Sequence, residues 1–317
     1  MRIFVAGATG AIGRRLVPML IDAGHEVTGM TRTPAKVDEL RATGAEAVVA
    51  DALDAEAVMR AVVAARPEVV VHELTAIGPF DARNPDRGFA TTNRLRIEGT
   101  DNLLAAARAA GARRFVAQSF AGWPYAKTGG PVKDESAPLD PDPPKRMRRT
   151  LAAVRHLEAA VTGAGDLEGI VLRYGGFYGP GTGIAPGGPE WDAVRAGRFP
   201  VVGDGGGVWS LVHIDDAAAA TVAAIERGAP GIYNVVDDDP APVREWLPAL
   251  AEAIGARRPR RVPAALARLL VGSSGMSLMT KSRGASNAKA RRELGWAPAY
   301  GSWREGFRTL AALPVAV

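Results

Sequence analysis

Cysteine is absent from this 317-residue chain. Disulfides, thiolate nucleophiles and cysteine-bound metals are thereby removed from consideration. Histidine is scarce. His25, His72, His156 and His213 form no cluster with carboxylates, and no metal-ligand spacing appears. Aromatic residues make up 6% of the chain and are missing from both dense basic clusters, 145–155 and 256–261. A nucleic-acid site wants cations and stacking rings together, so these clusters read as solvated surface despite the net charge of +5. No apolar run approaches the length of a membrane span. The opening MRIFVAGATG is a short apolar run broken by glycine, not a charged segment before a long apolar one. No leader is expected from it, and a cytoplasmic location is.

What is present is an alternation of short apolar strands and helical segments. RIFVAG reads as a strand ending in glycine, AIGRRLVPMLIDAG as a helix closed by Gly24, and HEVTGMTR as a second strand. Gly7, Gly10 and Gly13 therefore fall between a strand and a helix, with Thr9, Ala11 and Ile12 among them. In that context the first glycine permits a tight turn and the second lets backbone approach a pyrophosphate. The third allows close helix–strand packing, and the helix N-terminus offers free N–H groups to the anion. A ligand-free glycine turn is the plain alternative, and the strand–turn–helix–strand order favours a dinucleotide site. At the end of the second strand, Arg32 stands where a ribose-binding carboxylate would be, with Lys36 nearby. A guanidinium there can fork onto a 2′-phosphate, so NADP is expected and NAD is the weaker reading.

Strand and helix continue to alternate through the first half. This predicts an α/β protein with a Rossmann-type, doubly wound parallel sheet, whose ligands bind beyond the carboxyl ends of the strands. Its dinucleotide-binding domain is expected over 1–180, regaining 208–238. A smaller substrate-binding lobe is expected from 181–207 and 239–317.

The segments GATGAIG, DALD, TTNRLRIEGTDNLLAAARAAG, RRFVAQS, LRYGGFYGPG, GDGGGVWSLVHIDDAAAA and YNVVDDDPAPVREW occur in one order along nearly the whole chain, closing on KARRELGWAPAYGSWREGF. In that order they resemble the extended short-chain dehydrogenase/reductase superfamily, the group that contains nucleotide-sugar epimerases and dehydratases. The resemblance implies that Asp51, Ala52 and Leu53 flank the adenine. It implies that Leu74, Thr75 and Ala76 line the ribose and phosphates. Tyr174, Gly175, Gly176 and Phe177 would approach the nicotinamide. It also implies a substrate-lobe helix and hairpin within WDAVRAGRFPVVGDGGG, and a homodimer formed through the helices beside the fifth strand.

One part of the pattern is missing. The superfamily's chemistry uses a Tyr-x-x-x-Lys pair on the helix after the fifth strand, four residues apart and so on one helical face. The lysine lowers the tyrosine's pKa, and the tyrosine moves the proton. Taking Glu158 as the glutamate that follows the lysine, Thr150 and Val154 stand at those positions, and the helix contains no tyrosine. Tyr125 is the first candidate for a replacement acid, with Lys127 as electrostatic helper and Ser119 to hold the substrate oxygen; a loop aromatic that covers the substrate is the bland alternative. Tyr174 stands where a proline is common and would put a phenol near the nicotinamide. His213 reads as structural, just before the helix-start residues Asp215 and Asp216.

The function expected is an NADP(H)-dependent oxidoreductase that reduces a small carbonyl, imine or activated alkene through a non-standard proton donor. A nucleotide-sugar epimerase or dehydratase is an alternative, as is a non-catalytic NADP(H)-binding sensor.

Overall fold

The computed structural model describes residues 1–77 and 81–311. Seven parallel strands form one sheet: β1 (Arg2–Ala6), β2 (Glu26–Thr31), β3 (Glu46–Val49), β4 (Val69–His72), β5 (Arg114–Phe120), β6 (Glu168–Tyr174) and β7 (Gly231–Val235). Their order is β7-β6-β5-β4-β1-β2-β3. The chain thus reverses direction across the sheet between β1 and β4, and the crevice at that switch point is where such sheets take ligands. The middle strands are apolar because both faces are covered; every residue of β4 is buried.

Helix α1 (Gly13–Asp22) and helix α5 (Ile214–Arg227) cover one face. Leu16, Leu20, Ala217 and Ile225 pack there against Val5, Val71 and Leu172. Helices α2 (Ala55–Ala65), α3 (Thr100–Ala109) and α4 (Arg148–Thr162) cover the other. Val58, Leu103 and Leu157 meet Phe4, Val70 and Phe115 on that side. Just before α3 the helical run widens into a π-type turn over Leu95–Gly99.

Helix α4 begins later than its arginine-rich sequence implies. Pro143 and Pro144 precede a 3₁₀ turn, Lys145–Met147, in which Arg146 is non-helical (φ −87, ψ 15). The arginines at 146, 148, 149 and 155 are solvent-exposed, as are those at 257, 258, 260 and 261.

A second apolar core lies off the sheet's carboxyl end. It gathers Trp191, Val201, Val202, Trp246, Leu247, Trp303 and Phe307. The hairpin expected here does not form. Val201–Val202 pairs in parallel with Arg261–Val262, and Val208–Trp209 pairs antiparallel with Ala241–Pro242. Gly203 and Gly205, both at φ +59, turn the chain so that each short strand meets the C-terminal segment instead of its neighbour.

Candidate functional site

The glycine loop is shaped by close approach of backbone to backbone. Gly7 has φ +97, and a Cβ there would lie 2.7 Å from the Glu73 carbonyl oxygen. A Cβ on Gly13 would lie 2.3 Å from the Gly7 carbonyl oxygen. Gly10 is different: its Cβ would meet Gly7 at 3.2 Å, and the residue is exposed, so its bareness serves the outer side of the loop. Thr9 and Ala11 share that rim, while Ile12 is buried and caps α1 with no side-chain hydrogen bond. In the first turn of α1 the Arg14 N–H donates to the Gly10 carbonyl at 3.1 Å and the Arg15 and Leu16 N–H groups to the Ile12 carbonyl at 2.8 Å, so the loop and the helix N-terminus form one rim whose positive dipole end suits an anionic diphosphate.

The other predicted cofactor residues gather at the same edge. Thr31 at the end of β2 lies with its hydroxyl 3.3 Å from that of Thr9 and accepts the Thr33 N–H at 3.2 Å. Arg32 follows, exposed and with no carboxylate partner among the described residues, and Lys36 sits half-buried in the next turn. Asp51 accepts the Leu53 N–H at 3.0 Å, and Ala52 is buried with its carbonyl held by Asn102 at 2.9 Å. After β4 come Leu74, exposed Thr75, and Ala76, whose N–H donates to Thr92 at 3.0 Å. Beyond β6, the Gly175 N–H donates to Val235 at 3.1 Å and the Gly176 N–H to Ser210 at 2.9 Å, with Phe177 half-buried beside them.

Tyr174 does not put its phenol at this edge. Its side chain turns inward, 3.0 Å from Glu73 Oε1 and 2.6 Å from the Thr221 hydroxyl. Thr221 in turn donates to the Ala217 carbonyl at 2.8 Å. Burial pushes the Glu73 carboxyl up to about 8, so it is neutral at pH 7. Its proton completes the chain: three hydroxyl protons then serve three contacts, ending on a carbonyl. His72, at the end of β4, is driven down to about 4 by burial. Its Nδ1 accepts the Leu74 N–H at 3.3 Å, which makes it a neutral fixture of the loop.

The three residues expected to carry catalysis are all committed elsewhere. Ser119 is buried and donates to Glu158 Oε1 at 2.7 Å. Glu158 also takes two bonds from Arg173, at 2.8 and 2.6 Å. Ser119 is thus part of a buried ion-pair cluster, and Phe120 is the next side chain out. Tyr125 is fully buried, donates to Asn234 Oδ1 at 2.5 Å, and lies under the Arg173 guanidinium at 5.3 Å. Burial pushes its hydroxyl up to about 12, away from the range useful to a general acid. In this placement Tyr125 has a structural bond and no exposed face. Lys127 curls back on its own loop, donating to the Trp123 and Tyr125 carbonyls at 2.8 and 3.1 Å and pairing with Asp140 at 3.5 Å. It does not face the Tyr125 hydroxyl.

At the pair positions themselves, Thr150 is buried and donates to Asp86 at 2.8 Å while accepting from Asn93 at 3.1 Å. Val154 is buried and apolar. His213 is structural, its Nδ1 accepting the Asp215 N–H at the start of α5 at 3.3 Å.

Residues 3–235 match the model of the NAD dependent epimerase/dehydratase family. The chain belongs to that family. Within the epimerase/dehydratase relatives, the chain is 50% identical to a 3-diazoavenalumate denitrifying reductase from a Streptomyces species, over 96% of this chain and 99% of that protein. It is 31% identical to a 2-alkyl-3-oxoalkanoate reductase of Stenotrophomonas maltophilia, over 81% of this chain and 77% of that one. The structure of the Thermus thermophilus UDP-glucose 4-epimerase in complex with NAD superimposes with a TM-score of 0.73 at 27% identity, covering 98% of both chains. An epimerase/dehydratase fold with reductase relatives supports an oxidoreductase.

Sequence reading missed four members of this region: Glu73, Arg96, Asp86 and Arg173. In a chain with 39 lysines and arginines, an arginine carries little signal by itself. The buried carboxyl of Glu73 is set by a tyrosine on β6, 101 residues away.

Proposed function

We propose that this protein is an NADP(H)-dependent reductase of an activated electrophile, best represented by an aryl diazo carboxylate. The observation that carries this reading is that, among the described residues, the hydroxyls considered as proton donors at the strand ends are held by protein partners. Tyr125 and Tyr174 are buried and bonded, Thr150 is held by Asp86 and Asn93, and Ser119 is held by Glu158. Reduction of a ketone leaves an alkoxide that must be protonated, and general acids contribute ~10²–10⁴-fold to such steps. An arenediazonium has no such need. The ring gains a C–H bond, the C–N bond breaks, and its electron pair leaves with dinitrogen. Hydride and cation cancel, so no oxyanion forms and no proton is taken up. The 50% identical relative is named for a diazo carboxylate and for denitrifying reduction, which agrees with that chemistry.

Gly7, Gly10 and Gly13 with the N-terminus of α1 would hold the diphosphate, Arg32 and Lys36 a 2′-phosphate, Asp51–Leu53 the adenine, and Leu74–Ala76 and Gly175–Phe177 the nicotinamide half. Bound there, a reduced nicotinamide supplies the hydride. The protein's own work is to orient the two reactants and exclude water from the reacting carbon.

The test uses 4-deuterated NADPH with an arenediazonium bearing a carboxylate. The expected result is one dinitrogen and one ring C–D bond per NADPH oxidised, with a rate flat across the range where tyrosine and lysine titrate. NADPH oxidation with simple ketones but none with the diazonium would overturn the proposal and favour the carbonyl reading, to which the 3-oxoalkanoate reductase lends support.

A further inference from the structure

Arg96 lies in the π-type turn Leu95–Gly99 and is 8% exposed. Among the described residues its side chain has no hydrogen-bond or ion-pair partner within bonding distance. This is unusual: a guanidinium carries five donors and is rarely buried unpaired. Two hydrogen bonds locate the turn. Asn93, three residues before Arg96, donates to Thr150 on α4 at 3.1 Å, and the hydroxyl of Thr100, four residues after it, lies 3.1 Å from His72 Nε2 at the carboxyl end of β4. The turn that carries Arg96 thus lies between α4 and the ligand end of β4, and the charge of Arg96 acts on His72.

No carboxylate is bonded to this charge. Glu158 is already consumed by Arg173 and Ser119, Asp86 by the Thr150 hydroxyl and the first amides of α4, and His72 is neutral. The guanidinium is left without a partner of its own, and burial draws it down to about 10. Besides the already bonded Glu158, helix α4 brings Thr150 and Val154 to this region. π-turns widen a helix by one residue and recur at functional sites, because they re-aim a side chain that a regular turn would hold against its neighbours.

We propose that Arg96 is a substrate-binding residue, its guanidinium receiving the carboxylate of an aryl substrate. A carboxylate matches the two-pronged geometry of a guanidinium and gives it the charge partner it lacks. A neutral hydroxyl would leave that charge uncompensated. The inference rests on the reading of this site as one for aryl carboxylates, and it names the residue that reads the acid group.

The test is calorimetry on the NADP⁺-loaded protein with 4-hydroxycinnamate and its methyl ester as probes, comparing wild type, Arg96→Met and Arg96→Lys. The wild type should bind the acid roughly 10- to 100-fold more tightly than the ester, as expected for a hydrogen bond to a charged group. Arg96→Met should erase that difference without weakening the ester, and Arg96→Lys should retain part of it. The Tm of Arg96→Met should equal or exceed that of the wild type, since the substitution removes an unpaired buried charge. Failure of the wild type to distinguish acid from ester, an acid preference that persists in Arg96→Met, or a Tm lowered by several degrees would each overturn the assignment. Neither probe is a diazo compound, so acid-selective binding without diazo turnover would sink only the proposed reaction. Turnover without acid selectivity would sink only the role of Arg96.

Discussion

Glu158 holds Arg173 through two hydrogen bonds, 2.8 and 2.6 Å long, with both side chains less than a tenth exposed. Breaking a buried pair leaves one uncompensated charge and costs about 3–5 kcal/mol. Glu158→Leu should therefore lower the denaturant midpoint sharply. The double variant Glu158→Leu, Arg173→Met should recover most of the loss. Urea titrations of the three proteins check this, and equal stability of single and double variants would show that the pair is not the unit that matters.

Tyr125→Phe separates structure from catalysis. The substitution strips Asn234 Oδ1 of the phenol proton in a buried setting. The expected loss is about 1–3 kcal/mol of stability. Turnover should stay within about twofold at temperatures well below the midpoint, because the hydroxyl faces no open site. A kcat reduced 100-fold or more in a folded variant would restore the residue as an acid.

Arg32 stands alone at the end of β2, with no carboxylate to neutralise it among the described residues. Replacing it with alanine should weaken NADPH binding by about 10- to 100-fold, the worth of a charge-assisted contact, and leave NADH nearly unchanged. Fluorescence titration with both nucleotides reads the ratio. Equal losses for the two would mean that Arg32 does not meet a 2′-phosphate.

The neutral Glu73 gives a pH signature. Its carboxyl titrates near 8 in the fold, against 4.5 when free. Between those values the folded chain holds a proton that the unfolded chain has released, so stability falls as pH rises. The contribution is at most about 1.4 kcal/mol per pH unit. Glu73→Gln keeps a donor for Tyr174 and removes the titration. Its stability relative to wild type should grow from pH 5 to pH 8 in urea titrations. A constant offset across that range would show that Glu73 is ionised in the fold. Asp237, also pushed up to about 8 by burial, adds a slope of the same sign that this variant does not remove.

The glycine loop and the strands beside it were legible because their signals are local. Glycine spacing, strand ends and helix starts lie within a few residues of one another. The strand alternation that implied a parallel sheet was likewise a property of short windows, and the seven strands do form one parallel sheet. The short pairings of the second lobe were not legible, since Val201–Val202 finds its partner at 261–262 rather than in the next turn.

By itself the sequence determined the parallel sheet and its glycine loop, both of which follow from residue type and spacing. Only the tertiary structure decided what the remaining polar side chains do. Tyr125 is bonded to Asn234, 109 residues on, and Ser119 to Glu158, 39 residues on. Arg96, one arginine among many, is singled out by what the fold withholds from it. The physical reason is common to all three: a buried polar group is governed by whether it has a partner, and that partner is brought to it by packing across the sheet, not by neighbours along the chain.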